Sequence, residues 1–163
     1  MSILKNFLTA STVAVITTFS SQTTIAEVSP TASSTLVRIN LTSQTATLYK
    51  NNTMVKTFQV MTGSDKNPTP TGTFKINNNR DYTPNGNNIV LTGSYGTARV
   101  GIWNPFIRNS IAFHNAPWRK EYEFGNPQRR KKFGSHGCVN MRYNDALYLY
   151  NNTKPGTTVI VSK

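Results

Sequence analysis

Between residues 36 and 161 apolar side chains recur at every second position in short runs, and Asn, Gly or Pro breaks each run. A two-residue period sends alternate side chains to opposite faces of a strand, so this chain is written for half-buried sheet. Leu36, Val37, Ile39 and Leu41 open the pattern, and Thr45-Ala46-Thr47-Leu48-Tyr49 continues it. Lys50-Asn51-Asn52-Thr53 then supplies residues that tolerate left-handed backbone angles, and Val55 to Val60 resumes β-branched and aromatic usage. That combination predicts a β-hairpin. Pro68-Thr69-Pro70-Thr71-Gly72 predicts a stiff turn before a short strand at Thr73 to Ile76; residues 77–88 read as loop. Ile89-Val90-Leu91 and Arg99-Val100-Gly101-Ile102-Trp103 read as strands flanking a Gly-rich turn at 93–96. One segment reads as helix, with Asn144 as N-cap, Asp145 in the first turn and Ala146, Leu147 and Tyr150 on one face. Lys154-Pro155-Gly156 stops it ahead of a last strand at Thr157 to Val161. The expected fold is a single mostly β domain, sandwich or barrel-like and mostly antiparallel, with one or two short helices.

The amino terminus reads differently. Met1 to Asn6 carries Lys5, and the uncharged stretch Phe7 to Phe19 leads into small and polar residues ending Thr24-Ile25-Ala26. This is the pattern of a signal peptide over residues 1–26, cut before Glu27, with 27–35 as a short tether and 36–163 as the domain. Thr and Ser interrupt the stretch too often for a membrane span. The expected location is therefore secreted or in the cell envelope. Lys+Arg 18 against Asp+Glu 6 gives a formal net charge of +12, and removal of residues 1–26 would take away only Lys5 among the charged residues, so +11 of it stays with the rest of the chain. Such a surplus favours an anionic polymer or surface. Nucleic acid is a poor candidate, because no reading helix or zinc module is visible. Trp103, Phe106, Trp118, Tyr122 and Phe124 read as core and pocket walls. The cations Arg119, Lys120 and Arg129 to Lys132 read either as solvated surface or as a grip on an anionic polymer.

Reactive side chains concentrate between His114 and Arg142. The single cysteine excludes a disulfide framework and a four-cysteine zinc site, which leaves a packing thiol or a chemical one. Cys138 follows Ser135-His136-Gly137, and both histidines of the chain, His114 and His136, lie in this segment. A thiolate is a strong nucleophile once deprotonated; either histidine could be the base, and flanking cations are expected to lower the thiol pKa. Gly137 frees the backbone to turn N–H groups toward a developing oxyanion. An open zinc site on His114, His136 and Cys138 is disfavoured by the tight His-x-Cys spacing and the lack of a nearby carboxylate. No metal and no cofactor is expected.

The run Ser135-His136-Gly137-Cys138-Val139-Asn140, preceded at a distance by His114, resembles the signature of the L,D-transpeptidase catalytic domain, the YkuD-type fold of bacterial cell-wall enzymes. Leu48-Tyr49-Lys50-Asn51, Phe58 to Gly63, Thr69-Pro70-Thr71-Gly72-Thr73-Phe74, Ile111-Ala112-Phe113-His114 and Gly156-Thr157-Thr158-Val159 resemble further blocks of that family, so the likeness covers about Leu36 to Val161. It implies a cysteine acyltransferase acting on peptidoglycan stem peptides. Cys138 would be the nucleophile, His114 the base, and the backbone carbonyl of Asn115 the group orienting it, with Asn115's side chain free to vary. His136 and Gly137 would lie at the oxyanion hole, with N–H donors from Gly137 and Cys138, and Ser135 would support the loop. Asn140 stands where many members have arginine; Asn140 and Arg142 are carried over as weak substrate contacts. The spacing from His114 to Ser135 exceeds the family's usual range by a few residues, placing an insertion in Glu123 to Phe133. Hydrolysis by the same site, as in an L,D-carboxypeptidase or cysteine peptidase, is one alternative. A non-catalytic cationic wall-binding module is the other.

Overall fold

A computed structural model describes residues 34–84, 88–93 and 96–163. The expected signal peptide, nearly all of the expected tether and the tip of the 93–96 turn lie outside the described residues. The chain runs β1 (Thr35–Asn40), β2 (Thr45–Lys50), β3 (Thr53–Gln59), β4 (Gly72–Lys75), β5 (Asp81–Tyr82), β6 (Ile89–Gly93), β7 (Gly96–Val100), β8 (Ile102–Ile107) and β9 (Ile111–Asn115). A 3-10 turn at Glu121–Glu123, α1 (Pro127–Phe133), β10 (Val139–Met141), α2 (Tyr143–Asn151) and β11 (Thr158–Ser162) complete it. One sheet has the order β3-β2-β1-β11-β4, a second has β10-β9-β8-β5, and β6-β7 form a separate ribbon. Pairing is antiparallel except for β1 with β11 and β9 with β10.

The predicted hairpin joins β2 and β3, and Asn51 and Asn52 take φ of 50° and 62° there, the conformation a tight hairpin turn demands. Its partner strand begins earlier than expected. Thr35 pairs with Lys50, and Asn51 N–H donates to Ser34 O at 2.8 Å, so the start of β1 takes up residues read as tether. The inward positions of the alternating runs, among them Val37, Ile39, Leu48, Phe58, Val159 and Val161, meet Ile102, Phe113, Val139 and Met141 of the second sheet in one core. Ala146 and Leu149 of α2 complete it. Burying side chains of this size contributes about 1.5–3 kcal/mol each before entropy is counted.

Four sequence expectations change. Residues 77–88 contain β5, whose Asp81 and Tyr82 pair with Trp103 and Ile102; two residues are too few to show a period. The run 99–103 is two strands. It breaks at Gly101, where the Asn115 side chain accepts from the N–H groups of Gly101 at 2.8 Å and Ile102 at 3.0 Å. The N-cap of α2 is Arg142, without a side-chain cap bond, and Asn144 lies inside the first turn. Tyr143 packs against the core and draws the helix start inward. Finally, the expected loop insertion holds α1, with Asn126 Oδ1 accepting from Gln128 N–H at 3.1 Å and Arg129 N–H at 3.0 Å, Pro127 in the first turn and Gly134 at the end. Among the described residues no helix is long and apolar enough to cross a membrane.

Candidate active site

The site forms where β9 and β10 run parallel. Asn140 lies opposite His114 in their register, so both histidine and asparagine come to the same end of the sheet. The segment before β10 is held from its other side by residues 61–64. Met61 and Asn140 exchange both backbone hydrogen bonds, at 3.0 and 2.9 Å, Ser135 N–H donates to Thr62 O at 2.9 Å, and Ser64 N–H donates to Ser135 O at 3.0 Å. Thr69, buried within the Thr-Pro-Thr-Gly block, accepts from Gly63 N–H at 2.9 Å and donates to Gly137 O at 2.7 Å. A buried hydroxyl thus ties the proline-rich turn to the residue before the cysteine. Gly137 has φ of +114°, a region L side chains rarely adopt, and an added Cβ would meet Ile111 Cδ1 at 3.1 Å.

A cavity of about 550 Å³ opens here, and Cys138, His114, Ser135, His136, Asn140, Trp118 and Arg119 face it, with the β6–β7 ribbon supplying Leu91 and Thr97 to Arg99. His114 is 3% exposed. Its Nδ1 lies 2.9 Å from Asn115 O. A carbonyl can only accept, so Nδ1 carries the proton and Nε2 is the basic nitrogen. Nε2 in turn lies 2.9 Å from Asn140 Nδ2, which can only donate. Trp103 stacks beside the imidazole at 5.9 Å between ring centroids, and Trp118 meets it at 5.9 Å in a tilted contact. Burial lowers the His114 pKa from its ordinary 6.5 to about 4; the bond to Asn115 O opposes this and the positive charge of Arg119 adds to it.

Cys138 is half-buried, with Sγ 3.6 Å from Ser110 O. The expectation that flanking cations would lower its pKa is not met. Burial pushes the thiol up to about 11, against a backbone hydrogen bond with Ala112. Arg129 and Arg130 are engaged elsewhere, with Glu123 at 3.2 Å and Asp65 at 2.5 Å. At neutral pH the site therefore holds a thiol and a neutral imidazole, and no preformed ion pair.

The remaining expected residues fall as follows. Gly137 N–H, assigned from the sequence to an oxyanion hole, donates to Ser135 Oγ at 3.1 Å. Ser135 Oγ itself donates to Cys138 O at 2.5 Å, closing a turn around the nucleophile that commits the glycine N–H. His136 is exposed at the cavity wall. Asn115 contributes its carbonyl, and also a side chain that fixes the β7–β8 break, so that side chain is not free to vary without cost. Arg142 bonds Glu121 at 2.6 Å and Gln59 at 3.0 Å, away from the cavity lining. Phe106 and Phe124 are buried as expected, whereas Tyr122 is 58% exposed and belongs to neither core nor cavity wall. Thr69, which holds the turn before Cys138, and Arg119, which lines the cavity, are site residues that the sequence pattern does not declare. Thr69 was visible only as part of a motif, and Arg119 only as one charge in a cluster.

A thiol and an imidazole of fixed tautomer lining one cleft are the parts that nucleophilic acyl chemistry uses. The chain belongs to the L,D-transpeptidase catalytic domain family, whose model matches residues 34–161. A Bacillus subtilis (strain 168) protein that bears the name YkuD is 27% identical over 127 residues, which is 78% of this chain and 65% of that protein. Among solved structures, the avibactam carbamoyl form of Ldtfm superposes with a TM-score of 0.69 at 25% identity, covering 79% of this chain and 49% of that one. The catalytic domain of the Enterococcus faecium L,D-transpeptidase gives 0.65 at 25% identity, covering 78% of this chain and 96% of that domain. The chain thus spans about two thirds of its curated relative and half of the longer structural one, but nearly all of the isolated catalytic domain.

Proposed function

We propose that this chain is a peptidoglycan L,D-transpeptidase that works through a thioester on Cys138. The observation that carries the reading is the placement of Cys138 and the basic Nε2 of His114 on one cavity, with Nδ1 locked to Asn115 O. Because the resting thiol and imidazole are both neutral, proton transfer accompanies attack. Nε2 takes the thiol proton as Sγ adds to the carbonyl of the third residue of a tetrapeptide stem. The Cys138 N–H is the oxyanion donor this reading retains, since Gly137 N–H is committed to Ser135. Collapse of the tetrahedral adduct breaks the peptide bond, and Nε2–H returns its proton to the departing amine of D-alanine. An acceptor amine then attacks the thioester, loses a proton to Nε2, and releases the thiol. Asn140 must relinquish Nε2 while that nitrogen exchanges protons. Residues 1–26 are part of the same reading, as a signal that delivers the domain to the cell envelope.

Mass spectrometry of residues 27–163 with a tetrapeptide stem and a free D-amino acid tests it. Exchange of the terminal D-alanine by the wild type and not by Cys138→Ala is the expected result. Release of D-alanine without exchange would make the chain a carboxypeptidase, and turnover by Cys138→Ala would remove the thiol from the mechanism.

A further inference from the structure

One cation of the basic segment is buried at the site. The Arg119 side chain is 8% exposed, and its Nε–H donates to Asn140 Oδ1 at 2.5 Å while Nη1 donates to Phe133 O at 3.0 Å. Glu123, 11% exposed, stands behind it at 3.9 Å and accepts from Lys120 N–H at 2.9 Å and Arg129 Nη2 at 3.2 Å. The consequence lies in the chemistry of the amide. With Oδ1 claimed by a guanidinium, which can only donate, Asn140 has just its Nδ2–H to offer His114. A free asparagine could turn its oxygen to the imidazole instead and accept from Nε2–H, which stabilises the protonated ring.

Resting on the transpeptidase reading for its reaction but not for its geometry, we propose that Arg119 is a positioning residue that acts through Asn140: it fixes the amide so that Asn140 donates to Nε2 of His114 and keeps that nitrogen unprotonated in the resting site. Arg119 thereby links the segment between His114 and α1 to the base. Cys138, His136 and Arg99 are the other titratable or charged groups on the cavity wall, and among the described residues Arg119 is the one bonded to the Asn140 amide oxygen. Outer partners that orient a reactive imidazole are commonly worth about 10- to 100-fold in activity.

The test combines imidazole nitrogen NMR on the substrate-free protein with rates, using Arg119→Met, Asn140→Ala and the double variant. Arg119→Met is expected to shift the His114 titration upward toward its ordinary range and to lower kcat/KM about 10- to 100-fold, with the acid limb of the rate profile moving up in pH. In the Asn140→Ala background the same change is expected to add no further loss, because the residue it works through is gone. An unchanged His114 titration in Arg119→Met, a shift of the same size when Arg119→Met is made in the Asn140→Ala background, as loss of the Arg119 charge alone would give, or losses that multiply in the double variant, would overturn the proposal. Should Arg119→Met fail to fold, Arg119→Lys retains the charge beside Glu123 but has a single ammonium for two acceptors, and it is read by the same titration. The NMR arm needs no turnover, so failure of the transpeptidase reading leaves this one separately decidable.

Discussion

At the scale of single residues, the site is built from groups whose hydrogen bonds leave them one role each. Asn115 O makes Nδ1 of His114 the donor, and Ser135 closes the turn that carries Cys138. Thr69 is the least conspicuous of these. Its hydroxyl serves Gly63 N–H and Gly137 O in a buried position, and Thr69→Val keeps the shape while stranding both backbone groups. We expect a loss of about 1–3 kcal/mol in denaturant unfolding, accompanied by a lower kcat because the nucleophile turn loosens. An unchanged unfolding midpoint would show that the two backbone groups find other partners.

At the scale of elements, α1 and the 61–64 segment meet at Gly134, and the contact leaves no room for a side chain. A Cβ there would lie 2.5 Å from Ser64 N and 2.6 Å from Arg130 O, both backbone atoms that cannot rotate away. Gly134→Ala should therefore destabilise the fold by about 1–3 kcal/mol and reduce turnover, since Ser135 follows directly. Calorimetry and the exchange assay together check this. Asn126→Ala is the milder probe of the same helix. It removes one oxygen that serves two N–H groups, at an expected cost of about 1 kcal/mol in thermal unfolding, with Cys138 left in place.

For the whole molecule, buried His114 and half-buried Cys138 set a pH window for stability. His114 titrates near 4 when folded and near 6.5 when unfolded, so below 6.5 the unfolded chain takes up the proton first and stability falls until about pH 4. Cys138 is shifted the other way. Its folded pKa of about 11 against an ordinary 9.0 leaves stability intact below pH 9 and lost progressively from there to about 11. Unfolding free energies measured across pH should show both arms, and His114→Gln and Cys138→Ala should each flatten one of them. Retention of the alkaline arm in Cys138→Ala would assign it to another group.

Much of this was written along the chain itself. Alternating Leu36 to Tyr49, the Asn51-Asn52 turn and the closing run at Thr158 to Val161 specify strands and a hairpin because the period of two and left-handed asparagine angles are local properties. The Ser-His-Gly-Cys run with His114 was legible as chemistry for the same reason: the residue types announce it. The short helix α1 was also announced, by Asn126, Pro127 and Gly134, but the basic run between them masked it. What the chain could not declare was which distant groups share a cavity and what each donates or accepts. The parallel pairing of β9 with β10 sets Asn140 against His114, desolvation of half-buried Cys138 reverses the expected direction of the thiol pKa, and a guanidinium read as surface charge ends on the Asn140 amide oxygen. Desolvation and hydrogen-bond direction depend on everything that packs around a group, and that is decided only when the sheets close.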